Sequence, residues 1–357
     1  MSQSPVKSKD SRSLWSRFMS LNGAAMFLAM VVIIILFEIV LTITKGSGGM
    51  TFITPANLMS ILRQQAYIGI IAFGLTLVMI TGNIDLSVGS MLTFMCCVCA
   101  KIMMSTDNGL LGIFGTIAAG AACGLLNGIL VSYVKLNSFI TTLGTSSIFT
   151  ALALRISSGT ILVIPDNCDP LFQAVGVTSF GPVHILIVWF VVVAVILGLL
   201  LSRTVFGQQL YTIGSNPVAA RFSGIRAKRN TTLSYVITGL CVGFAAVLMM
   251  ANVKSSNPQA ASGKEMEIIL AVVLGGVSVT GGTGTIGSAV VAELLAHGHA
   301  VGVAGAVDPG DLAGPGQLLA VPAAPAGALA ARSAAARVPR SAGAREAPGG
   351  RRVRRGD

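Results

Sequence analysis

Residues 66–104 read AYIGIIAFGLTLVMITGNIDLSVGSMLTFMCCVCAKIMM, in which two apolar runs, Ala66–Ile80 and Val88–Met104, flank a short polar segment. Each run approaches the roughly 20 residues that a helix needs to cross a bilayer. The segment between them, Thr81–Gly89, contains glycine, asparagine and aspartate. Non-helical backbone at membrane depth survives only where it is buried in protein or faces water. This stretch therefore predicts a polytopic membrane protein with broken helices.

The composition of the whole chain agrees with that class. Of its 357 residues, 53% are hydrophobic and 10% are charged, and the mean hydropathy is +0.81. A soluble domain carries about 25% charged residues, so this chain lacks the polar surface that a fold in water requires. We predict one all-α membrane domain with the lipid bilayer as its solvent.

Further apolar runs bring the expected number of transmembrane or re-entrant helices to about eight. The first run, Ala24–Ile43, is too long for the core of a signal peptide, and we interpret it as an uncleaved helix. The last begins near Ile268. The remaining four are Gly109–Val134, Ile140–Leu154, Val183–Leu201 and Leu233–Ala251.

The net charge of +11 could indicate a nucleic-acid partner, but its placement indicates membrane topology instead. Residues 1–20 hold four basic residues and one acidic residue, and the 203–230 loop holds five basic residues and no acidic one. The 157–182 loop holds two aspartates and no Lys or Arg. Because cytoplasmic loops carry the excess of Lys and Arg, we predict a cytoplasmic N-terminal segment at 1–20, a cytoplasmic 203–230 loop and no nucleic-acid partner.

No residue pattern indicates catalysis or metal binding. The six cysteines include one CxxC pair, Cys96 and Cys99, inside an apolar run without a second pair. Small-residue packing between helices explains this pair better than metal or redox chemistry. The histidines at 184, 297 and 299 lack metal-ligand spacing with acidic partners. We therefore expect no catalytic residue and no metal site.

Asp85 is the carboxylate of the polar segment, and two roles are open for it. An intramembrane carboxylate is costly and marks function by default. The favoured alternative is that Asp85 is the N-cap of a helix beginning at Leu86. Similar polar interruptions occur at Asn137–Gly144 and Gly275–Gly282. The residues expected at helix breaks or along a translocation path are Asn83, Asp85, Ser87, Asn137, Thr141, Thr142, Gly275, Gly276 and Ser278.

The segment GSNPVAARFSG, Gly214–Gly224, predicts a two-turn helix within the basic loop. Asparagine, proline and glycine stand at the positions that favour its start and its stop. Such a helix is too short for stable binding to a membrane surface, so we expect it to dock onto a partner protein. The residues of this contact are Asn216, Pro217, Val218, Ala219, Ala220, Arg221, Phe222, Ser223 and Gly224.

Four segments together resemble the permease subunits of the ribose/galactose/xylose-type ABC sugar importers. They are Gly82–Ser90 (GNIDLSVGS), Asn137–Gly144 (NSFITTLG), Gly207–Ile225 (GQQLYTIGSNPVAARFSGI) and Gly263–Gly287 (GKEMEIILAVVLGGVSVTGGTGTIG). Their order and spacing across most of residues 20–287 make the resemblance specific.

The resemblance implies the permease subunit of a monosaccharide importer in the bacterial cytoplasmic (inner) membrane. It implies a second permease copy, a cytoplasmic ABC ATPase and an extracytoplasmic sugar-binding protein. It also implies that Pro217–Ser223 is the coupling helix that contacts the ATPase. The sequence has no GxxxxGK(S/T) run, so we expect no cofactor on this chain and ATP on the partner.

The C-terminal part departs from that family, which would continue past Gly287 with about two more spans. Residues 297–357 consist chiefly of Ala, Gly, Pro, Val, Leu and eight Arg. We expect a transmembrane domain at 21–296 that is incomplete at its C-terminal end, followed by a disordered low-complexity tail.

Residues 279–299 carry a second resemblance, to the opening of a short-chain dehydrogenase/reductase. A dinucleotide site needs a complete βαβ unit and a later acidic residue, and no second strand of ordinary character follows His299. The alternative function is therefore a membrane-anchored fusion to a fragment of an NAD(P)-dependent dehydrogenase. A frameshift and a gene fusion are both open as the origin of this end.

Overall fold

A computed structural model describes residues 54–181, 183–258 and 263–287, with isolated helical positions between 32 and 43. The predicted N-terminal segment at 1–20, most of the first predicted span, residues 288–299 and the predicted tail at 297–357 lie outside the described residues.

The described chain is almost entirely helical. In chain order its helices are α1 (Pro55–Ile80), α2 (Val88–Thr106), α3 (Gly109–Ser132), α4 (Ser138–Ser157), α5 (Pro170–Val177), α6 (Ile185–Arg203), α7 (Val205–Ser215), α8 (Pro217–Phe222), α9 (Ala227–Val253) and α10 (Lys264–Leu274). Four two-residue strands are β1 (Leu162–Val163), β2 (Ser179–Phe180), β3 (Val183–His184) and β4 (Ser255–Ser256). β1 pairs antiparallel with β4, and β2 with β3.

Six of these helices, α1 to α4, α6 and α9, are long and apolar enough to cross a membrane. They correspond to the six apolar runs predicted between Ala66 and Ala251, so the all-α polytopic fold is confirmed. The run predicted near Ile268 forms α10, whose 11 residues span about 16 Å and fall short of a bilayer crossing. The total of about eight includes the first span, which lies outside the described residues.

Contacts between loops show which helix ends lie together. At one end β1 pairs with β4, and the Lys254 ammonium lies 3.2 Å from a carboxylate oxygen of Asp166. At the other end the Asn230 amide donates to Gln209 Oε1 at 2.6 Å. We call the first end, which carries the 157–182 loop, the acidic face, and the second, which carries the 203–230 loop, the basic face.

Helix α9 is the centre of the bundle, since it packs against α1, α2 and α3. Its contact with α3 is the most intimate, because α3 presents small residues at four-residue intervals. The buried residues that meet α9 in this way are Thr116, Gly120, Gly124 and Gly128. A Cβ atom at Gly124 would lie 2.2 Å from the Tyr235 carbonyl oxygen, and one at Gly239 would lie 2.2 Å from the Gly120 carbonyl oxygen. Glycine therefore permits backbone-to-backbone packing that any side chain would prevent.

We predict that Gly124→Ala lowers thermal stability. The added methyl meets the backbone of α9, and overpacking of this kind costs about 1–3 kcal/mol. Gly198→Ala in α6 is the matched control, because a Cβ there meets nothing within 4 Å and alanine is the better helix former by about 1 kcal/mol. Thermal unfolding of the purified protein in detergent measures both. Equal midpoints for the two variants would show that the α3–α9 contact is looser than described.

Candidate functional site

The break between α1 and α2 is the first candidate site. The chain leaves α1 at Ile80 and enters α2 at Val88, and we call residues 81–87 the break segment. Its backbone is bound by side chains of α4: the Leu86 N–H donates to Thr142 Oγ1 at 3.0 Å, and the Ile84 N–H donates to Ser138 Oγ at 3.4 Å. Buried backbone donors need such partners, so α4 holds this segment in its non-helical form.

Asp85 lies at the centre of a buried polar cluster and is 1% exposed. Its Oδ1 accepts from the Ser87 N–H at 2.9 Å and from the Ser87 hydroxyl at 2.6 Å. The Asn127 amide of α3 donates to Ser87 Oγ at 2.8 Å, and Tyr235 of α9 lies close enough for its phenol to interact electrostatically with the Asp85 carboxylate. Helices α3 and α9 therefore converge on the segment that carries this carboxylate.

Three oxygens of this cluster are buried without a hydrogen-bond partner. They are Asp85 Oδ2, Asn127 Oδ1 and the Tyr235 hydroxyl. Buried polar atoms are almost always paired, and each orphan costs about 1–3 kcal/mol. The cluster therefore places unpaired polar atoms inside an apolar bundle.

The prediction that Asp85 is the N-cap of a helix beginning at Leu86 is wrong. Helix α2 begins at Val88, and Ser87 occupies the N-cap position without a side-chain capping bond. Helix α2 does not begin at Leu86 because of a contact with another helix. Thr142 of α4 binds the Leu86 N–H, so Leu86 is held by α4 and not by a first helical turn. The Asp85 carboxylate instead closes the turn that leads into Ser87.

The other predicted break residues form hydrogen bonds in different places. Thr142 contacts the break segment, whereas Asn137 caps α4 by accepting from the N–H groups of Phe139 and Ile140. The Thr141 hydroxyl donates to the Asn137 carbonyl at 2.7 Å and stays within its own helix. The Asn83 amide donates to Thr81 Oγ1 at 2.9 Å, within the break segment.

The break predicted at Gly275, Gly276 and Ser278 is where α10 ends. Gly276 has a φ of +82°, and the Ser278 N–H donates to the Thr283 carbonyl at 3.1 Å. These bonds shape the loop that follows α10. None of the bonds between described residues joins these three to Asp85.

A contact between three backbone segments at the basic face was not predicted from the sequence. The Gly282 N–H donates to the Ile80 carbonyl at 2.9 Å, and a Cβ at Gly214 would lie 1.9 Å from that same oxygen. A Cβ at Gly281 would lie 2.7 Å from the Gly82 nitrogen. We call these residues (Ile80, Gly82, Gly214, Gly281 and Gly282) the glycine junction. It joins the start of the break segment to the end of α7.

The short helix α8 begins two residues beyond that end and matches the prediction closely. Asn216 is its N-cap and accepts from the N–H groups of Val218 and Ala219 at 3.1 and 2.9 Å. The helix ends at Phe222, and Gly224 has the positive φ, +75°, of a helix stop. Phe222 is 88% exposed. Val218 of the same helix is 64% exposed, so α8 leaves two apolar side chains uncovered.

A cavity of about 340 Å³ lies between α2, α4 and α10. Its polar lining comes from Ser90, Thr93, Ser146, Thr150 and Glu265, and its apolar lining from Leu154 and Pro258. None of these residues was predicted to be functional. The signal that could have found them is the four-residue spacing of hydroxyls along α4, at Ser138, Thr142, Ser146 and Thr150, which places them along one side of that helix.

The described residues contain no group of three or more His, Cys, Asp or Glu side chains that could hold a metal ion. Cys96 and Cys99 are buried free thiols of α2. Cys96 Sγ lies 3.9 Å from Met249 Sδ of α9, which is a packing contact between helices.

Residues 57–308 match the family described as branched-chain amino acid transport system / permease component. The chain is 35% identical to the L-arabinose ABC transporter permease protein AraH of Azospirillum brasilense, over 73% of this chain and 76% of that protein. It is 35% identical to the ribose import permease protein RbsC of Bacillus subtilis, over 69% and 76%. It is 32% identical to the D-allose transport system permease protein AlsC of Escherichia coli, over 68% and 74%. No solved structure matches the chain.

We predict that Thr142→Val destabilises the protein by about 1–3 kcal/mol, because it leaves the buried Leu86 N–H without its acceptor. Thr141→Val is the matched control: the position is also buried, but its hydroxyl bonds only within α4. The midpoint of thermal unfolding in detergent should fall for Thr142→Val and stay near that of the unsubstituted protein for Thr141→Val. The reverse order would mean that α4 does not hold the break segment.

Proposed function

Since this chain belongs to the family of permease components of the branched-chain amino acid transport type, we propose that it is the membrane subunit of an ATP-driven importer of a monosaccharide. Its relatives support a sugar as substrate, because they are permeases for arabinose, ribose and allose. The subunit forms the passage and is not itself an enzyme. ATP binds to a separate ATPase.

The observation that carries this proposal is the exposed helix α8 and its link to the membrane interior. Phe222 is 88% exposed and Val218 is 64% exposed, so the helix presents an apolar surface to a partner. Three residues before α8, Gly214 abuts the carbonyl of Ile80, the residue that precedes the break segment. A push on α8 by the ATPase therefore reaches the break segment through direct backbone contact.

Two further partners complete the importer. An extracytoplasmic sugar-binding protein would dock at the acidic face, and a second permease copy would complete the passage as a homodimer or heterodimer. The exposed apolar side chains of α3 and α4, such as Phe114 and Ile148, are available to lipid or to that second copy. The alternative of a membrane-anchored dehydrogenase fragment is disfavoured, because the permease relatives align with about two thirds or more of the chain.

The charge distribution supports a location in the bacterial cytoplasmic membrane with the basic face and the N-terminus in the cytoplasm. The loop between α6 and α9 contains basic residues and no acidic one, and cytoplasmic loops carry this excess. The coupling helix α8 lies in that same loop. Both observations support an ATPase contact on the side where ATP is available.

We expect Asp166→Cys to react with a membrane-impermeant maleimide in intact cells and Arg221→Cys to react only after the membrane is opened. Both positions are exposed, so the reaction of each cysteine with the reagent depends only on the side of the membrane that it faces. The background lacks the six native cysteines. Labelling at position 221 but not at position 166 in intact cells would reverse the proposed orientation.

We predict that Phe222→Asp reduces both ATPase co-purification and sugar uptake by more than about tenfold, because a charge replaces a central apolar anchor. Thermal stability should stay unchanged, since the ring is 88% exposed. Phe222→Leu is the control, because it keeps an apolar side chain and should retain most of the binding. The measurement is co-purification with the ATPase and uptake into proteoliposomes that contain the complete importer. Normal ATPase binding by Phe222→Asp would exclude α8 as the coupling helix.

A further inference from the structure

We propose that the cavity between α2, α4 and α10 is a monosaccharide-binding site of the passage, in which the Glu265 carboxylate accepts hydrogen bonds from sugar hydroxyls. This assignment rests on the proposed function. The case comes from the chemistry of the lining.

The cavity presents hydrogen-bond acceptors to a ligand. The Ser90 hydroxyl donates its proton to the Ser87 carbonyl at 2.9 Å, and the Thr150 hydroxyl donates to the Ser146 carbonyl at 3.0 Å. Each hydroxyl keeps lone pairs for a ligand once its proton is used. A carboxylate accepts only. The complementary ligand must therefore bring several donors, as a polyhydroxylated molecule does.

Glu265 is the charged group of the lining, and its carboxylate has no hydrogen-bond or ion-pair partner among the described residues. Its neighbour Lys264 is paired with Glu267 and does not neutralise it. No Lys or Arg occurs among the described residues that line the cavity. An anionic ligand is disfavoured for this reason, and a neutral polyol gains a charge-assisted hydrogen bond.

The size and apolar lining agree with a single sugar ring. The volume of about 340 Å³ lies near the lower end of the roughly 300–1,000 Å³ found for small-molecule sites. Leu154 and Pro258 supply apolar surface, against which the C–H groups of a sugar can pack. One monosaccharide fits such a space better than an oligosaccharide.

The cavity is also placed where a passage would need it. Ser146 and Thr150 continue along α4 from Thr142, whose hydroxyl binds the break segment. Ser90 lies one turn into α2 and bonds to the carbonyl of Ser87, the last residue of the break segment. Hydroxyl groups of α2 and α4 therefore connect the cavity to the break segment, which contacts the glycine junction.

The test compares Glu265→Gln and Thr150→Val with Ser147→Ala in proteoliposomes that contain the permease, its ATPase and the binding protein. Ser147 is adjacent on α4, is exposed and does not line the cavity. The probes are radiolabelled D-ribose, L-arabinose and D-allose. We expect Glu265→Gln to lower uptake of the transported sugar about tenfold, because the amide oxygen still accepts a hydrogen bond but lacks the charge that strengthens it. Thr150→Val should lower it less, and Ser147→Ala should not change it.

The rate of ATP hydrolysis stimulated by the loaded binding protein distinguishes a role of Glu265 in sugar passage from a role in folding or assembly. Hydrolysis should stay within about twofold of the unsubstituted importer, so that less sugar moves per ATP. Equal loss of hydrolysis and uptake, or unchanged uptake in Glu265→Gln, would overturn the assignment while leaving the importer function intact. An unsubstituted complex that takes up none of the three sugars and shows no stimulation would refute the proposed function and this site with it.

Should Glu265→Gln fail to fold, Ser146→Cys and Ser147→Cys in the cysteine-free background give an independent measurement. Added sugar should slow the reaction of a small methanethiosulfonate reagent at position 146 and leave position 147 unchanged. Equal rates with and without sugar at position 146 would contradict binding in the cavity.

Discussion

The backbone contact between α3 and α9 holds the centre of this bundle together. Glycines at four-residue spacing on α3 bring it so close to α9 that a Cβ at Gly124 would overlap the Tyr235 carbonyl. The contact also brings Asn127 and Tyr235 to the side chains of Asp85 and Ser87. Without it Asn127 would no longer reach Ser87, and the polar cluster around Asp85 would lose its neighbours on α3 and α9.

The break segment in turn connects the cavity beside Glu265 with helix α8. Toward the acidic face it leads through α2 and α4 to the cavity beside Glu265. Toward the basic face it meets the glycine junction, and through Gly214 it meets α8. These contacts are made by backbone or by short side chains, so one segment has little room to move without the other. We therefore expect a displacement of α8 to move the break segment and the hydroxyl groups that connect it to the cavity. An importer driven by a separate ATPase requires such a connection.

Features that depend on neighbouring residues in the sequence could be predicted, and those that depend on distant contacts could not. The apolar runs predicted six of the described helices, and Asn216 with Pro217 predicted α8, since capping is local. The start of α2 was predicted at Leu86 and lies at Val88, because Thr142, far away in sequence, binds the Leu86 N–H. The glycine junction and the cavity were missed for the same reason. Each is formed by segments that only the fold brings together.

The most direct measurement of the central claim is ATP hydrolysis by the chain assembled with its ATPase in lipid, with and without sugar-loaded binding protein. We predict that hydrolysis rises only when the permease and the loaded binding protein are both present, because the signal must cross from the acidic face to α8. Hydrolysis that is the same with and without the permease, or with and without sugar, would contradict it.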